Sequence, residues 1–403
     1  MIKVGAILTD RLSHCVRIGA SNQIKIGGKI MNIFVAGGAG FIGSHLANEL
    51  IKRGYTVRVL DNLSEQVHGK NAKIPAELDE RVEFILGDVR NTEDWRKALS
   101  GMDVVVHLAA ETGTGQSMYE VYHYTDTNIG GTAKLIDILT NEKHSIKKVL
   151  VASSRAIYGE GAYNCLKHGI VYPEFRTEED LEAKDFGMKC PICGESVSVV
   201  ATKEDALLHP VSVYGITKQV QEELVLTLCK NLGIPALAYR FQNVYGPGQS
   251  LSNPYTGILS IFSTRIRQGK DINIFEDGQE SRDFVYIDDI VAALIAGIES
   301  DRYMHESFNV GTGKMVTVET VVNELMRCYK KTVPVHISGM FRVGDIRNNY
   351  ADMTKTEKLL GFRTKVDFSE GIEKFADWVC GQDMNLDGYE RSLNELKERG
   401  LLK

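Results

Sequence analysis

Tyr214 and Lys218 stand four residues apart at the start of a stretch patterned as a long helix. That spacing puts both side chains on one helix face. An ammonium beside a phenol stabilises the phenolate and lowers a tyrosine pKa from its ordinary value near 10. A tyrosine so tuned can exchange a proton with a substrate hydroxyl while hydride moves to or from a nicotinamide, whose own positive charge adds to the effect. A second group of residues suits a dinucleotide. Gly37-Gly38-Ala39-Gly40-Phe41-Ile42-Gly43 lies between a short apolar run and a helical stretch. Glycines there allow a tight turn, close approach of backbone to a pyrophosphate and close packing of helix on sheet. The helix N-terminus adds free N–H groups and the positive end of its dipole. Asp61 ends the next apolar run. A carboxylate at that place accepts hydrogen bonds from the adenosine ribose and repels a 2′-phosphate, so NAD is favoured over NADP. Asp88, in Gly87-Asp88-Val89 after the third run, is a candidate for the adenine.

A third group suggests metal. Cys165-x-x-His168 and Cys190-Pro-x-Cys193 are two close pairs separated by a loop. Four N/S ligands in this arrangement resemble a zinc ribbon and would close a tetrahedral structural site. The surrounding segment, 160–209, has few core-forming residues and would need such a staple to order itself. Its acidic residues Glu178, Glu179, Asp180, Glu182 and Asp185 argue against nucleic acid.

The elements that must position these groups read as alternating strands and helices. NIFVAGG, TVRVLDN, VEFILGD, VVVHLAA and KVLVASS are apolar runs without polar alternation, and ALAYRFQNVYG reads as another core strand. Such runs suit parallel strands covered on both faces. Helical stretches separate them, near residues 94–99 and 128–141, and from about Tyr214 to Asn231. Strand–helix alternation implies an α/β fold with a doubly wound parallel sheet of the Rossmann type. The expected organisation is a leader at 1–30 outside the fold, an NAD-binding domain at 31–245 carrying the insertion at 160–209, and a smaller, partly interleaved substrate-binding domain at 246–403.

Bulk properties narrow the class. Of 403 residues, 43% are hydrophobic and 25% charged, which is ordinary for a soluble globular protein with a sizeable core. A net charge of −6 argues against a nucleic-acid binder. No apolar run has the length of a membrane span. Seven cysteines in a chain this long do not form a disulfide framework, and a reduced cytoplasmic protein is expected.

Eight segments in order carry a family resemblance: GGAGFIGSHL (37–46), LDNL (60–63), GDV (87–89), HLAA (107–110), SSRAIYG (153–159), YGITK (214–218), RFQNVYGPGQ (240–249) and SRDFVYIDD (281–289). The chain resembles the extended short-chain dehydrogenase/reductases that modify nucleotide-sugars, from about Met31 to Trp378. The resemblance implies catalytic roles for Ser154, Tyr214 and Lys218, with Ser154 hydrogen-bonding the reacting hydroxyl and Lys218 binding the nicotinamide ribose. It implies cofactor contacts from Gly37, Gly40, Phe41, Ile42, Gly43, Asp61 and Asn62. Further cofactor contacts are implied from Asp88, Val89, Leu108, Ala109, Ala110, Asn128, Tyr214 and Lys218. Ser154, Asn243, Arg282 and Arg342 are the implied substrate contacts, the two arginines at the nucleotide diphosphate. A homodimer is implied as well.

Dehydratases and decarboxylases of this family resemble one another in a carboxylate just after the catalytic Ser/Thr, where extra proton transfers must be served. Here those positions are Arg155 and Ala156. Neither can act as that acid. The remaining Ser-Tyr-Lys set with NAD suffices for 4-epimerisation through a transient 4-keto sugar. A net-redox NAD(P)-dependent reductase or dehydrogenase is the alternative, and a non-catalytic dinucleotide-binding protein a third reading. QVHG at 66–69 and the Cys/His insertion are similar to a subgroup that includes dTDP-L-rhamnose 4-epimerases, with other dTDP- or UDP-hexoses or a UDP-uronate open.

Overall fold

In the computed structural model, the described residues are 31–403 apart from 71, 252–256, 303, 343 and 383–386. The leader expected at 1–30 lies outside them. Seven strands form the main sheet: β1 (Asn32–Ala36), β2 (Thr56–Asp61), β3 (Glu83–Leu86), β4 (Val104–His107), β5 (Lys148–Ser154), β6 (Ala236–Phe241) and β7 (His305–Val310). Every pairing is parallel, in the order β7-β6-β5-β4-β1-β2-β3. Ala36 at the end of β1 stands opposite Leu60 on one side and His107 on the other. The winding reverses between β1 and β4, and ligands of open parallel sheets bind outside the strand ends at such a reversal.

Helices cover both faces, as the non-alternating strands require. Ile33 and Val35 of β1 pack with Leu46 and Leu50 of α1 (Phe41–Lys52) on one face. Phe34 and Ala36 pack on the other with Trp95 of α2 (Thr92–Leu99), Leu135 of α3 (Gly131–Asn141) and Val225 of α4 (Val213–Leu232). Helix α4 carries Tyr214 and Lys218. Its start is fixed by the Ser212 hydroxyl, which accepts from the Gly215 N–H at 3.1 Å, and Gly233 in the left-handed region ends it.

Two elements differ from the sequence reading. The helix expected from residue 128 begins as a wider π-helical turn over Thr125–Gly130 and becomes α-helical at Gly131. The run ALAYRFQNVYG is two strands. After Phe241 the chain leaves the main sheet, and Asn243–Tyr245 pairs with Phe284–Tyr286. Past residue 245 the chain re-enters the first part: β7 returns to the main sheet, and α5 (Ile287–Glu299) shares the hydrophobic core with α1. The remaining C-terminal helices, including Ile258–Gln268, Val318–Tyr329 and Phe368–Cys380, gather beside a two-stranded sheet, Ile272–Ile274 with Val335–Ile337.

The insertion is a small antiparallel sheet, Tyr163–Cys165 between Gly169–Val171 and Ser198–Val199, with a core of Tyr163, Cys165, Val171, Met188 and Cys190. Buried charges tie it to the C-terminal region. Arg176 forks Glu276, with Nη2 to Oε1 at 2.8 Å, and the Arg347 N–H donates to Glu160 at 2.9 Å.

Helix α4 is clamped to the sheet by another buried pair. Arg240 on β6 donates from Nη2 to Glu222 Oε1 at 2.6 Å and from Nη1 to the Tyr158 hydroxyl at 2.8 Å. Arg240→Met leaves the Glu222 carboxylate buried and unpaired, a change that costs about 3–5 kcal/mol. The expected result in urea unfolding is a markedly lower midpoint, partly recovered by adding Glu222→Gln. An unchanged midpoint would mean the pair does not hold α4.

Candidate active site

A cavity of about 1050 Å³ opens at the carboxyl ends of the sheet strands. Residues after β1, β2, β3, β4, β5 and β6 all contribute to its wall. The glycine turn forms one end. Gly37 has φ +77°, and a Cβ there would lie 2.7 Å from the Ala109 backbone nitrogen. A Cβ on Gly43 would lie 2.2 Å from the Gly37 carbonyl oxygen. Only glycine permits these approaches. No side chain caps α1 at Gly40, so the first-turn N–H groups and the positive dipole end remain for an anion. Asp61 is locked beside the turn: Oδ2 accepts from the Ala39 N–H at 3.0 Å and Oδ1 from the Leu63 N–H at 2.9 Å. Gly40, Phe41, Ile42, Asn62, Val89, Leu108, Ala109 and Ala110 complete this part of the wall.

Three expected cofactor contacts do not lie on the wall: Asn128, Asp88 and Lys218. Asn128 is fully buried behind it, accepting from the Glu111 N–H at 2.8 Å and donating to the Thr217 hydroxyl at 2.9 Å. Its amide is consumed in tying the loop after β4 to α4. Asp88 turns to its neighbours instead, accepting from the Arg90 N–H at 2.8 Å and from Asn62 Nδ2 at 3.0 Å. Burial opposes its charge, but hydrogen bonds from Arg90 prevail and hold its pKa down to about 2.

Ser154 ends β5, and its hydroxyl accepts from the Ala156 N–H at 3.1 Å. Tyr214, at the first turn of α4, hydrogen-bonds Ser154 through its hydroxyl. Its backbone N–H is held by the Ser117 hydroxyl at 3.0 Å. Burial raises the Tyr214 pKa, while the Ser154 bond and the Arg155 charge pull it back. Lys218 is buried one turn along α4 and does not line the cavity. Its ammonium donates to Gln221 Oε1 at 2.7 Å. Burial pushes its pKa down to about 7, against the pull of Glu222. Gln221 is held in turn, donating to the Thr132 hydroxyl oxygen at 2.8 Å, which also meets His107 Nε2 at 2.9 Å. The Thr132 hydroxyl donates to the Asn128 carbonyl at 2.6 Å. Lys218 thus rests on a neutral carbonyl, and its charge is not cancelled by direct contact with a carboxylate.

Asn243, Arg282 and Arg342 lie together at the far end of the cavity. Arg282 Nη2 pairs with Asp345 at 2.9 Å, and its Nη groups also donate to the carbonyls of Ser281, Ile346 and Arg347. It offers charge to a ligand more than free donors. Arg342 stacks over Phe275 at 4.9 Å.

Sequence reasoning missed the parts that act from behind the wall: Ser117, Gln221, Thr132 and His107. It also treated Arg155 only as the absence of an acid, whereas the side chain lines the cavity and donates from Nε to Asn243 Oδ1 at 2.8 Å. Its place directly after Ser154 was the available signal.

The His107 ring is completely buried, and burial, assisted by the Lys218 charge, pushes its pKa down to about 3. The folded-state pKa lies below the unfolded value of roughly 6.5, so this contribution to stability is complete above that pH and is lost as pH falls towards 3. Urea unfolding between pH 7 and 4 should show a shallower pH dependence in His107→Phe than in the parent chain. An identical slope would contradict the assignment.

Comparisons with known proteins agree with this geometry. The family model described as "NAD dependent epimerase/dehydratase family" matches residues 33–180 and 190–311. The dTDP-L-rhamnose 4-epimerase of Burkholderia thailandensis is 35% identical over 362 residues, covering 89% of this chain and 97% of that protein. The structure of UDP-glucose 4-epimerase from Thermotoga maritima with UDP-glucose is similar with a TM-score of 0.69 at 30% identity, covering 87% of this chain and 99% of the other. UDP-glucuronic acid 4-epimerase from Bacillus cereus, in complex with UDP-glucuronic acid and NAD, matches with a TM-score of 0.69 at 28% identity, covering 87% and 99%.

Proposed function

The chain belongs to the NAD dependent epimerase/dehydratase family, and from that membership we propose that it is an NAD-dependent nucleotide-sugar 4-epimerase. The observation that carries the reading is the Ser154–Tyr214 hydroxyl pair on the cavity wall, with Arg155 and Ala156 where an acid would serve dehydration or decarboxylation.

The residues present fit the cofactor. Gly37 and Gly43 leave backbone space that any Cβ would fill, the uncapped start of α1 suits the pyrophosphate, and Asp61 suits the adenosine ribose. When bound, NAD supplies reversible oxidation at the sugar carbon that bears the reacting hydroxyl. Tyr214 takes the proton of the 4-hydroxyl and returns it after the 4-keto sugar has turned in the cavity. Ser154 holds the reacting oxygen. Lys218, one helical turn away and without a carboxylate in direct contact, favours the phenolate when it is charged. Arg282 and Arg342 place positive charge for the diphosphate. In this reading Asp88 and Asn128 shape the cofactor wall from behind.

The substrate is dTDP-L-rhamnose or a related dTDP- or UDP-hexose, supported by the Burkholderia relative and by the sugar nucleotides bound in the similar structures. A homodimer and a cytoplasmic setting are the assembly and location that family membership implies. Among the described residues no helix is long and apolar enough to cross a membrane.

Incubation with a panel of nucleotide-sugars should give the C4 epimer without consumption of added reduced cofactor. Product that forms only with stoichiometric NADH or NADPH would instead identify a reductase. Tyr214→Phe should lower turnover by about 10²–10⁴-fold, the usual worth of general acid–base catalysis. Full turnover in that variant would remove Tyr214 from the mechanism.

The Cys/His quartet is proposed as a structural zinc site. Cys165 Sγ lies 3.5 Å from His168 Nδ1 and 3.8 Å from Cys193 Sγ, and Cys190 Sγ lies 3.4 Å from His168 Nδ1. All four ligand atoms fall within 4.8 Å of one another. Tetrahedral zinc with Zn–S near 2.3 Å spaces its sulfurs about 3.8 Å apart, so the donor set and spacing fit the ion. Metal analysis of protein purified without chelator should find about one zinc per chain, and less than about half would count against the site.

A further inference from the structure

We infer that Arg155 is a substrate-binding residue that sets sugar specificity, its terminal amino groups hydrogen-bonding an oxygen substituent on the sugar ring beside the reacting carbon. The inference deepens the epimerase reading, since it rests on Ser154 and Tyr214 marking where that carbon lies.

Arg155 follows Ser154 directly, at the start of the tight turn Arg155–Tyr158 that leaves β5. The backbone therefore delivers the two side chains to the same end of the cavity. Its guanidinium plane is fixed on one edge, where Nε donates to Asn243 Oδ1 at 2.8 Å. No described hydrogen bond uses either Nη group. Arg282 is the contrast: both of its Nη groups are committed to carbonyls and to Asp345. The free fork of Arg155 belongs to the cavity wall, and the charges of Arg282, Asp345, Tyr214 and Glu160 all act on it. Its neighbours therefore include both a member of the proton-transfer pair and the arginine expected at the diphosphate. The part of a nucleotide-sugar that spans from one to the other is the sugar ring.

The energetics point the same way. Burial, reinforced by the neighbouring Arg282 charge, holds the Arg155 pKa down to about 10. The residue is half-buried and its terminal amino groups face the cavity. An oxygen acceptor on the ligand would engage them, and the planar fork discriminates by the position of the acceptor. A ring hydroxyl of a neutral hexose and a carboxylate of a uronic acid share this acceptor chemistry.

The test is calorimetric binding to the NAD-loaded protein, comparing the parent chain with Arg155→Leu and Arg155→Lys. The probes are dTDP and UDP alone, dTDP-L-rhamnose, UDP-glucose and UDP-glucuronate. Arg155→Leu should keep nucleoside diphosphate affinity within about twofold and weaken at least one sugar nucleotide by about tenfold or more, as expected for a lost charge-assisted donor pair. A loss confined to UDP-glucuronate identifies a carboxylate as acceptor, and a loss on the neutral sugars identifies a hydroxyl. Arg155→Lys should recover little, because an ammonium lacks the fork, and it carries the test if the leucine variant does not fold. Equal loss for the diphosphates alone, or no loss for any sugar nucleotide, overturns the inference. Binding needs no turnover, so absence of epimerase activity in the parent chain would reject the epimerase reading separately.

Discussion

The structure depends on one close approach, the backbone of Gly37 against the backbone of Ala109, where β1 and β4 part. A single added methyl group at residue 37 would lie 2.7 Å from the Ala109 nitrogen. Because no side chain intervenes, the turn after β1 and the loop after β4 meet at the mouth of the sheet. The start of α1 is then aimed across that mouth, and Gly43 lets the helix sit down on the turn. The Asp61 carboxylate fastens the same turn through the Ala39 N–H at 3.0 Å. The cofactor end of the cavity is therefore built of backbone, and side chains are free to define the other end.

At that other end the chemistry is set by which charges are buried and which partners they lack. Tyr214 faces the cavity, and burial alone would keep its phenol protonated. Lys218 lies behind it on a carboxamide, Gln221, whose own position is fixed through Thr132 and His107. A carboxylate in place of that carboxamide would pair directly with the Lys218 ammonium. Ahead of Tyr214 stands Arg155, a cation where related chemistries place an acid. At the two positions directly after Ser154 stand Arg155 and Ala156, and neither side chain can serve as a second proton carrier there.

The glycine turn, Asp61, the parallel doubly wound sheet and the roles of Ser154 and Tyr214 were legible in the sequence because each is tied to a residue type or pattern that the backbone or the reaction demands. The Cys/His pairs were legible for the same reason, and the fold brings all four side chains together. Asn128 and Asp88 were read as cofactor contacts, but their polar atoms are used by Glu111, Thr217, Arg90 and Asn62, which sequence spacing does not reveal. Gln221 and Thr132 carried no signal at all, since a glutamine and a threonine on amphipathic helices look like ordinary surface or core residues. No glycine or proline in ALAYRFQNVY marks the break after Phe241, and the competing partner strand Phe284–Tyr286 decides it. What sequence conveyed poorly was direction: which side of a wall a polar group faces.

The central claim is reversible oxidation at a single sugar carbon, and the fate of the hydrogen on that carbon tests it most directly. A nucleotide-sugar carrying deuterium at C4, taken to equilibrium in ordinary water, should yield the C4 epimer with the deuterium still at C4 by mass spectrometry and NMR. Loss of the label to solvent, or its appearance at C6, would contradict the account.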